Sequence, residues 1–245
     1  MTPRAGGSLD LVEVRLNRLA ERRAGCDGNG QSGSVTGGRD VGDAGRDIGL
    51  YLVVEASEGA VARLEAVLAA VPAAAVCIAP GKDRAAPAKL VAAAQSAGAA
   101  ALVDGDARLS VALGSDGVHL PWSEDVLEAY AAARAIVGAQ GNVGGMAGGS
   151  RHDAMSLGEA GADYVGFGGP DPEARAELVA WWAELFEVPC VAFDVTSASE
   201  AESLARSGAD FIGVSLPPGE TVEAAVARIR QMSDAIRRAA AGGAP

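Results

Sequence analysis

From residue 50 onward, short apolar runs alternate with longer stretches of helical period. Leu50-Tyr-Leu-Val-Val54 is the first run, and Ala60 to Val71 then repeats its apolar positions at three- and four-residue spacing. The pair of patterns recurs. Strands are predicted at 74–78, 100–103, 118–120, 143–146, 164–167, 189–193 and 211–214. Helices are predicted between and after them at 87–97, 108–113, 125–137, 153–160, 173–186, 199–207 and 221–240. Runs of three to five apolar residues bounded by Gly, Pro and Asp read as strands buried on both faces, the mark of a parallel sheet. Eight strand–helix units predict an α/β protein, a (β/α)8 TIM barrel over residues 49–240. An open doubly wound sheet is the alternative. It usually carries a glycine-rich dinucleotide loop after its first strand, and this chain has Glu55-Ala-Ser-Glu-Gly59 there.

One phrase recurs three times: Gly114-Ser-Asp-Gly-Val, Gly161-Ala-Asp-Tyr-Val-Gly and Gly208-Ala-Asp-Phe-Ile-Gly, 47 residues apart each time. Glycine ends a helix because it tolerates a left-handed backbone. The aspartate starts the turn into a buried strand. A period of 47 residues is too long for one strand–helix unit and fits two.

The first 48 residues break the pattern and form an N-terminal extension. Leu9, Val12, Leu16 and Leu19 share one helical face, and Arg22-Arg23 with Gly25 close that helix. Residues 25–48, rich in Gly, Ser and Asp, read as a flexible linker. Two readings stand for the helix: it docks on the barrel or on a second subunit, or it is a disordered leader. Residues 241–245 read as a disordered tail.

Composition narrows the function. Hydrophobic residues make up 49%, enough for a core, and aromatics only 4%, so that core is Ala, Val, Leu and Ile. The formal net charge of −12 argues against nucleic acid, which needs a basic stripe. Residues 1–48 are balanced, so the barrel carries that whole charge with only two lysines, Lys82 and Lys89. An acidic barrel that binds an anion must place its few cations locally, or use a metal or helix N-termini. Three cysteines without a CxxC, two of them (Cys77 and Cys190) in apolar runs, fit small core residues in a reducing cytoplasm. No apolar run reaches membrane-spanning length, and no signal-peptide pattern opens the chain. Whether the protein is a homo-oligomer stays open at this point.

At Gly114-Ser-Asp-Gly-Val-His-Leu120 the chain resembles the thiamine phosphate synthase family. Leu50-Tyr-Leu-Val-Val54 and Gly161-Ala-Asp-Tyr-Val-Gly-Phe-Gly168 extend the resemblance in the family's order and spacing. It implies an enzyme of thiamine biosynthesis that joins a hydroxymethylpyrimidine pyrophosphate to a thiazole phosphate and releases pyrophosphate. It implies phosphorylated small-molecule substrates and Mg2+, because a leaving pyrophosphate needs cations to absorb its charge.

Carried onto this sequence, the resemblance assigns residues one by one. Lys82, in Ile78-Ala-Pro-Gly-Lys82-Asp-Arg84, becomes the catalytic pyrophosphate ligand, with Arg84 standing in for a missing arginine. The position of one metal aspartate is Gly105 here, flanked by Asp104 and Asp106; Glu124 matches a second metal position beside Asp125. Asp104 and Glu124 are the metal candidates. Gly168, Gly169 and Ser215 are the candidates for the second phosphate. The chain departs from the family where a Thr-x-Thr-Lys loop is absent, and where Phe193-Asp194 replaces phosphate-cradling glycines. Gly144-Gly-Met-Ala-Gly-Gly149, followed by Arg151 and His152, reads as a loose loop or an anion nest. His119 reads as lining, Trp181-Trp182 as anchors of the sixth helix, and Ser123 as a helix cap. Three functions follow: a synthase of this type, a catalytically degenerate binding or regulatory barrel (a pseudoenzyme), or an enzyme on a less anionic substrate using Asp194.

Overall fold

A computed structural model describes residues 47–241. The expected N-terminal helix, its linker up to residue 46 and the tail beyond Ala241 lie outside the described residues; the linker's last residue, Ile48, packs against the core. Eight parallel strands close into a barrel in sequence order: β1 (Gly49–Glu55), β2 (Ala75–Ala79), β3 (Ala100–Asp104), β4 (Gly117–Leu120), β5 (Asn142–Met146), β6 (Tyr164–Phe167), β7 (Cys190–Ala192) and β8 (Phe211–Leu216). The helices that follow them are α1 (Ala60–Ala70), α2 (Ala86–Ser96), α3 (Ala107–Leu113), α4 (Val126–Val137), α5 (Arg151–Glu159), α6 (Pro172–Leu185), α7 (Ala198–Ser207) and α8 (Val222–Ala241). β1 pairs with both β2 and β8, which closes the ring. The sequence-based elements match these within two residues at each end. The final helix runs one residue past the expected boundary at 240. No helix among the described residues is long and apolar enough to cross a membrane.

The period-two pleat divides the apolar residues into two cores. Leu50, Leu52 and Val54 of β1, with their counterparts on the other strands, face the helices and pack against Leu64, Leu90, Leu157, Trp182 and Ile229. Tyr51, Cys77, Leu102, Tyr164, Val191, Phe193 and Phe211 form the second cluster, which fills the barrel interior. Trp182 is fully buried and donates from Nε1 to the Val188 carbonyl (2.7 Å), so it anchors α6 as the sequence implied. Its neighbour Trp181 carries the Arg151 guanidinium over its ring at 4.9 Å.

The recurring phrase has a structural cause. Gly114 and Gly208 cap α3 and α7 in the left-handed region, at φ 63° and 110°. The aspartate that follows then grips the first residues of the preceding odd-numbered strand. Asp116 donates from its backbone N to the Ala101 carbonyl (2.7 Å) and accepts from the Ala101 N–H at Oδ2 (2.7 Å). Asp163 does the same with Val143 (3.1 and 2.6 Å), and Asp210 with Cys190 (3.2 and 2.8 Å). Each copy therefore staples β4, β6 or β8 to β3, β5 or β7. One staple per two strand–helix units is why the period is 47 residues.

Candidate active site

Residues that continue the inward alternation to the strand C-termini line the barrel mouth, where barrels of this kind carry their activity. On β1 the series Tyr51, Val53 ends at Glu55; on β3 Ala100, Leu102 ends at Asp104; on β8 Phe211, Gly213 ends at Ser215. On β6 Tyr164 and Gly166 lead to Gly168, just past the strand end. Three of the sequence candidates, Asp104, Gly168 and Ser215, thus share one face of the barrel.

Below them lies a polar thread that sequence reasoning passed over. Tyr51 and Tyr164 hydroxyl oxygens stand 2.9 Å apart across the barrel, and His119 Nδ1 lies 2.8 Å from the Tyr164 hydroxyl. Phe193 packs on both sides of it, with ring centroids 5.0 Å from Tyr51 and 5.0 Å from His119. Burial pushes both tyrosine hydroxyls well above their ordinary value and pushes His119 down to about 4. All three are therefore neutral at pH 7. Burial, reinforced by the charge of Asp104, also raises the Cys77 thiol, so Cys77 is an inert wall and not a nucleophile. The signal was present in the sequence: Tyr51, His119 and Tyr164 all take inward positions of the pleat.

The loop after β2 presents Lys82 and Arg84, both exposed; it is tied to the end of β1 by the Asp83 N–H, which donates to the Ala56 carbonyl (3.1 Å), while Asp104 ends the neighbouring strand β3. Asp104 is half-buried and forms no ion pair among the described residues, and burial raises its carboxyl above the ordinary value. Asp106 is committed elsewhere: its Oδ1 accepts from Leu109 N (2.8 Å) and caps α3. Glu124 is exposed in the turn before α4. The residue at that helix's N-cap is Asp125, without a side-chain bond, and not Ser123. Among the described residues no three His, Cys, Asp or Glu side chains converge on one point. Mg2+ bound together with substrate phosphates needs only one or two protein carboxylates. An unpaired, half-buried Asp104 at the mouth fits that mode.

The opposite side of the mouth differs. Asp194 follows β7 at φ 58°, the single non-glycine residue in the left-handed region among the described residues. Its Oδ2 accepts from the Gly169 N–H (2.9 Å). Arg175, almost fully buried, donates to the Gly169 carbonyl (2.6 Å) and pairs with Glu200. Glu200 in turn accepts from Thr196 N (3.0 Å). These groups line a cleft of about 440 Å³ between the β6 and β7 loops. Ser215 is exposed, and its carbonyl accepts from Arg228 (2.8 Å). In the glycine-rich stretch, Gly144 and Gly145 belong to β5, and Gly148 (φ 58°) lies under the Trp122 ring. The first part of that stretch is therefore barrel wall, and Gly148-Gly149 form the turn that leads into α5, where Arg151 sits over Trp181.

The closed ring of eight parallel strands, each followed by a helix, defines the (β/α)8 barrel class. A family model described as thiamine monophosphate synthase matches residues 50–216, and the chain belongs to that family. It is similar to thiamine-phosphate synthase of Hyphomonas neptunium, 40% identical over 125 residues, 48% of this chain and 55% of the relative. It is 46% identical over 92 residues to that of Rhodospirillum centenum, 34% of this chain and 43% of the relative. The chain spans about half the length of the curated relatives it matches. Thiamine phosphate pyrophosphorylase from Pyrococcus furiosus superposes with a TM-score of 0.65 at 20% identity, over 79% of this chain and 98% of that one. At that identity the likeness shows the fold.

Proposed function

We propose that this protein couples a hydroxymethylpyrimidine pyrophosphate to a thiazole, with release of pyrophosphate, in thiamine biosynthesis. The observation that carries the reading is that two exposed cations, Lys82 and Arg84, stand on the loop after β2, and the carboxyl of Asp104, without an ion pair among the described residues, ends the adjacent strand β3, inside the stretch that matches the family. The bond from the pyrimidine methylene carbon to the pyrophosphate oxygen breaks, and the leaving group takes the electron pair. The thiazole nitrogen lone pair then forms the new C–N bond. Lys82 and Arg84 offset the charge that develops on the leaving oxygen. Asp104 and Glu124 would hold Mg2+, which supplies further neutralisation of the pyrophosphate when bound. The apolar, neutral interior beneath keeps water from the carbocation-like centre. Gly168, Gly169 and Ser215 face the second substrate. The reading includes a cytoplasmic setting, which suits the two buried cysteines Cys77 and Cys190.

Pyrophosphate release from the pyrimidine pyrophosphate, with Mg2+ and a thiazole acceptor, tests it. Lys82→Ala should lower kcat/KM by about 10²- to 10³-fold with the fold intact by circular dichroism. Turnover unchanged in that variant would remove Lys82 from the site. A second reading, a barrel that binds without turnover, is favoured by Phe193 and Asp194 in place of a glycine cradle. It predicts no pyrophosphate release at any Mg2+ concentration.

A further inference from the structure

Barrels of this architecture commonly hold a phosphate with backbone amides from the loops after strands 7 and 8. In this chain several of those amides are already engaged. Phe193 N–H donates to the Phe167 carbonyl (2.7 Å), Val195 N–H to the Gly213 carbonyl (3.3 Å), and Thr196 N–H to Glu200 (3.0 Å). Across the cleft, Gly169 N–H donates to the Asp194 carboxylate (2.9 Å). After β8 the chain continues as Pro217-Pro218, which has no N–H to offer.

The charge agrees. The cleft holds one guanidinium, Arg175, and two carboxylates, Asp194 and Glu200, with Arg175 already paired to Glu200 and Asp171 capping the helix beside it. Asp194 is aimed at the mouth as well as the cleft. A Cβ built on Gly168, an inward position, would stand 2.8 Å from Asp194 Oδ2 and 2.7 Å from the methyl of Met146. The carboxylate therefore lies over the inner wall of the barrel. It is held there by a left-handed backbone at φ 58°, a conformation Asp tolerates and most residues do not.

We propose that Asp194 is a specificity-determining residue that excludes a phosphate ester from the second-substrate site and accepts a hydroxyl in its place. The inference rests on the coupling reading above and names its second substrate: a thiazole bearing a free hydroxyethyl group. A carboxylate with its second oxygen open accepts a hydrogen bond from an alcohol and repels a phosphate dianion. The coupling step is unchanged in its bonds. The methylene C–O bond breaks, pyrophosphate leaves with the electron pair, the thiazole nitrogen forms the C–N bond, and the product is an unphosphorylated thiazolium alcohol.

The test is calorimetric titration of the full chain with hydroxyethylthiazole and with its phosphate ester, repeated for Asp194→Gly and Asp194→Asn. Glycine relieves the left-handed backbone; asparagine tolerates it, keeps the volume and removes the charge. The wild-type chain should bind the alcohol more tightly than the ester by about tenfold or more, and both variants should lose or reverse that ratio. Tighter binding of the ester by the wild type overturns the proposal. So does binding of neither compound, or a ratio that both variants leave unchanged. The coupling assay is read separately. Preferential binding of the alcohol with no pyrophosphate release from the pyrimidine pyrophosphate would sink the coupling reading and leave the selectivity of Asp194 in place.

Discussion

At the scale of single residues, the interior shows how a nearly aromatic-free sequence still builds a rigid floor for a site. Tyr51, Tyr164 and His119 satisfy one another inside the barrel, so none is left as a buried unpaired group. His119 carries a measurable consequence. Burial holds it at about 4, below the ordinary histidine value, so it is neutral in the folded chain and gains its proton first in the unfolded one. As pH falls from about 6.5 toward 4, the unfolded state binds more protons and stability drops, by roughly 3 kcal/mol over that window. Above about 6.5 the contribution is fully present. Denaturant midpoints of the wild type and of His119→Gln, measured from pH 7 down to pH 4, should converge as pH falls. A gap that stays constant across that range means the ring does not carry the acid sensitivity. His119 was legible in the sequence as lining, from its place in the strand. Its tie to Tyr164 was not, because the two residues sit on strands that are not neighbours.

At the scale of elements, the Gly-x-Asp phrase was legible as a period, and its chemistry was not. Spacing alone marks a turn entering a strand. Only the register of the sheet reveals that each aspartate reaches sideways to the N–H of a residue in the previous strand. Asp210 is the clearest case, since its Oδ2 satisfies the amide of fully buried Cys190 at 2.8 Å. Removing the carboxylate strands that donor, which costs about 1–3 kcal/mol. Asp210→Ala should lower the urea midpoint accordingly, and Asp210→Asn, which keeps an acceptor oxygen, should recover most of the loss. Equal losses in the two variants would mean that charge, and not the hydrogen bond, holds β7 to β8. The staples lie at the strand N-termini, away from the mouth, so this phrase belongs to the scaffold. Family resemblance carried by it speaks for the fold first. The site had to be read from the loops at the other end, where Lys82 and Asp104 stand beside their altered neighbours.

At the scale of the whole molecule, the barrel interior is one volume shared among strands far apart in the chain. Bulk on one strand is matched by glycine on another. A Cβ on Gly144 would fall inside the Tyr164 ring, and one on Gly166 would stand 2.8 Å from Phe193 Cε2 and 2.7 Å from Met146 Sδ. Strand alternation told from sequence which residues face inward; it does not tell which of them meet across the barrel, because that depends on strand stagger. This matching makes Phe193 more than a missing glycine. It is the residue around which Gly166 and Gly213 are cut. Gly166→Ala alone overpacks the interior and should cost about 1–3 kcal/mol. Phe193→Leu alone removes ring atoms and should cost about 0.5–3 kcal/mol, since the void is only partly refilled. Because the atoms removed by the second change are among those struck by the first, the double variant should be more stable than the sum predicts, by about 0.5–3 kcal/mol. Urea unfolding of all four proteins closes the cycle. Strict additivity would mean that Phe193 and Gly166 do not share space.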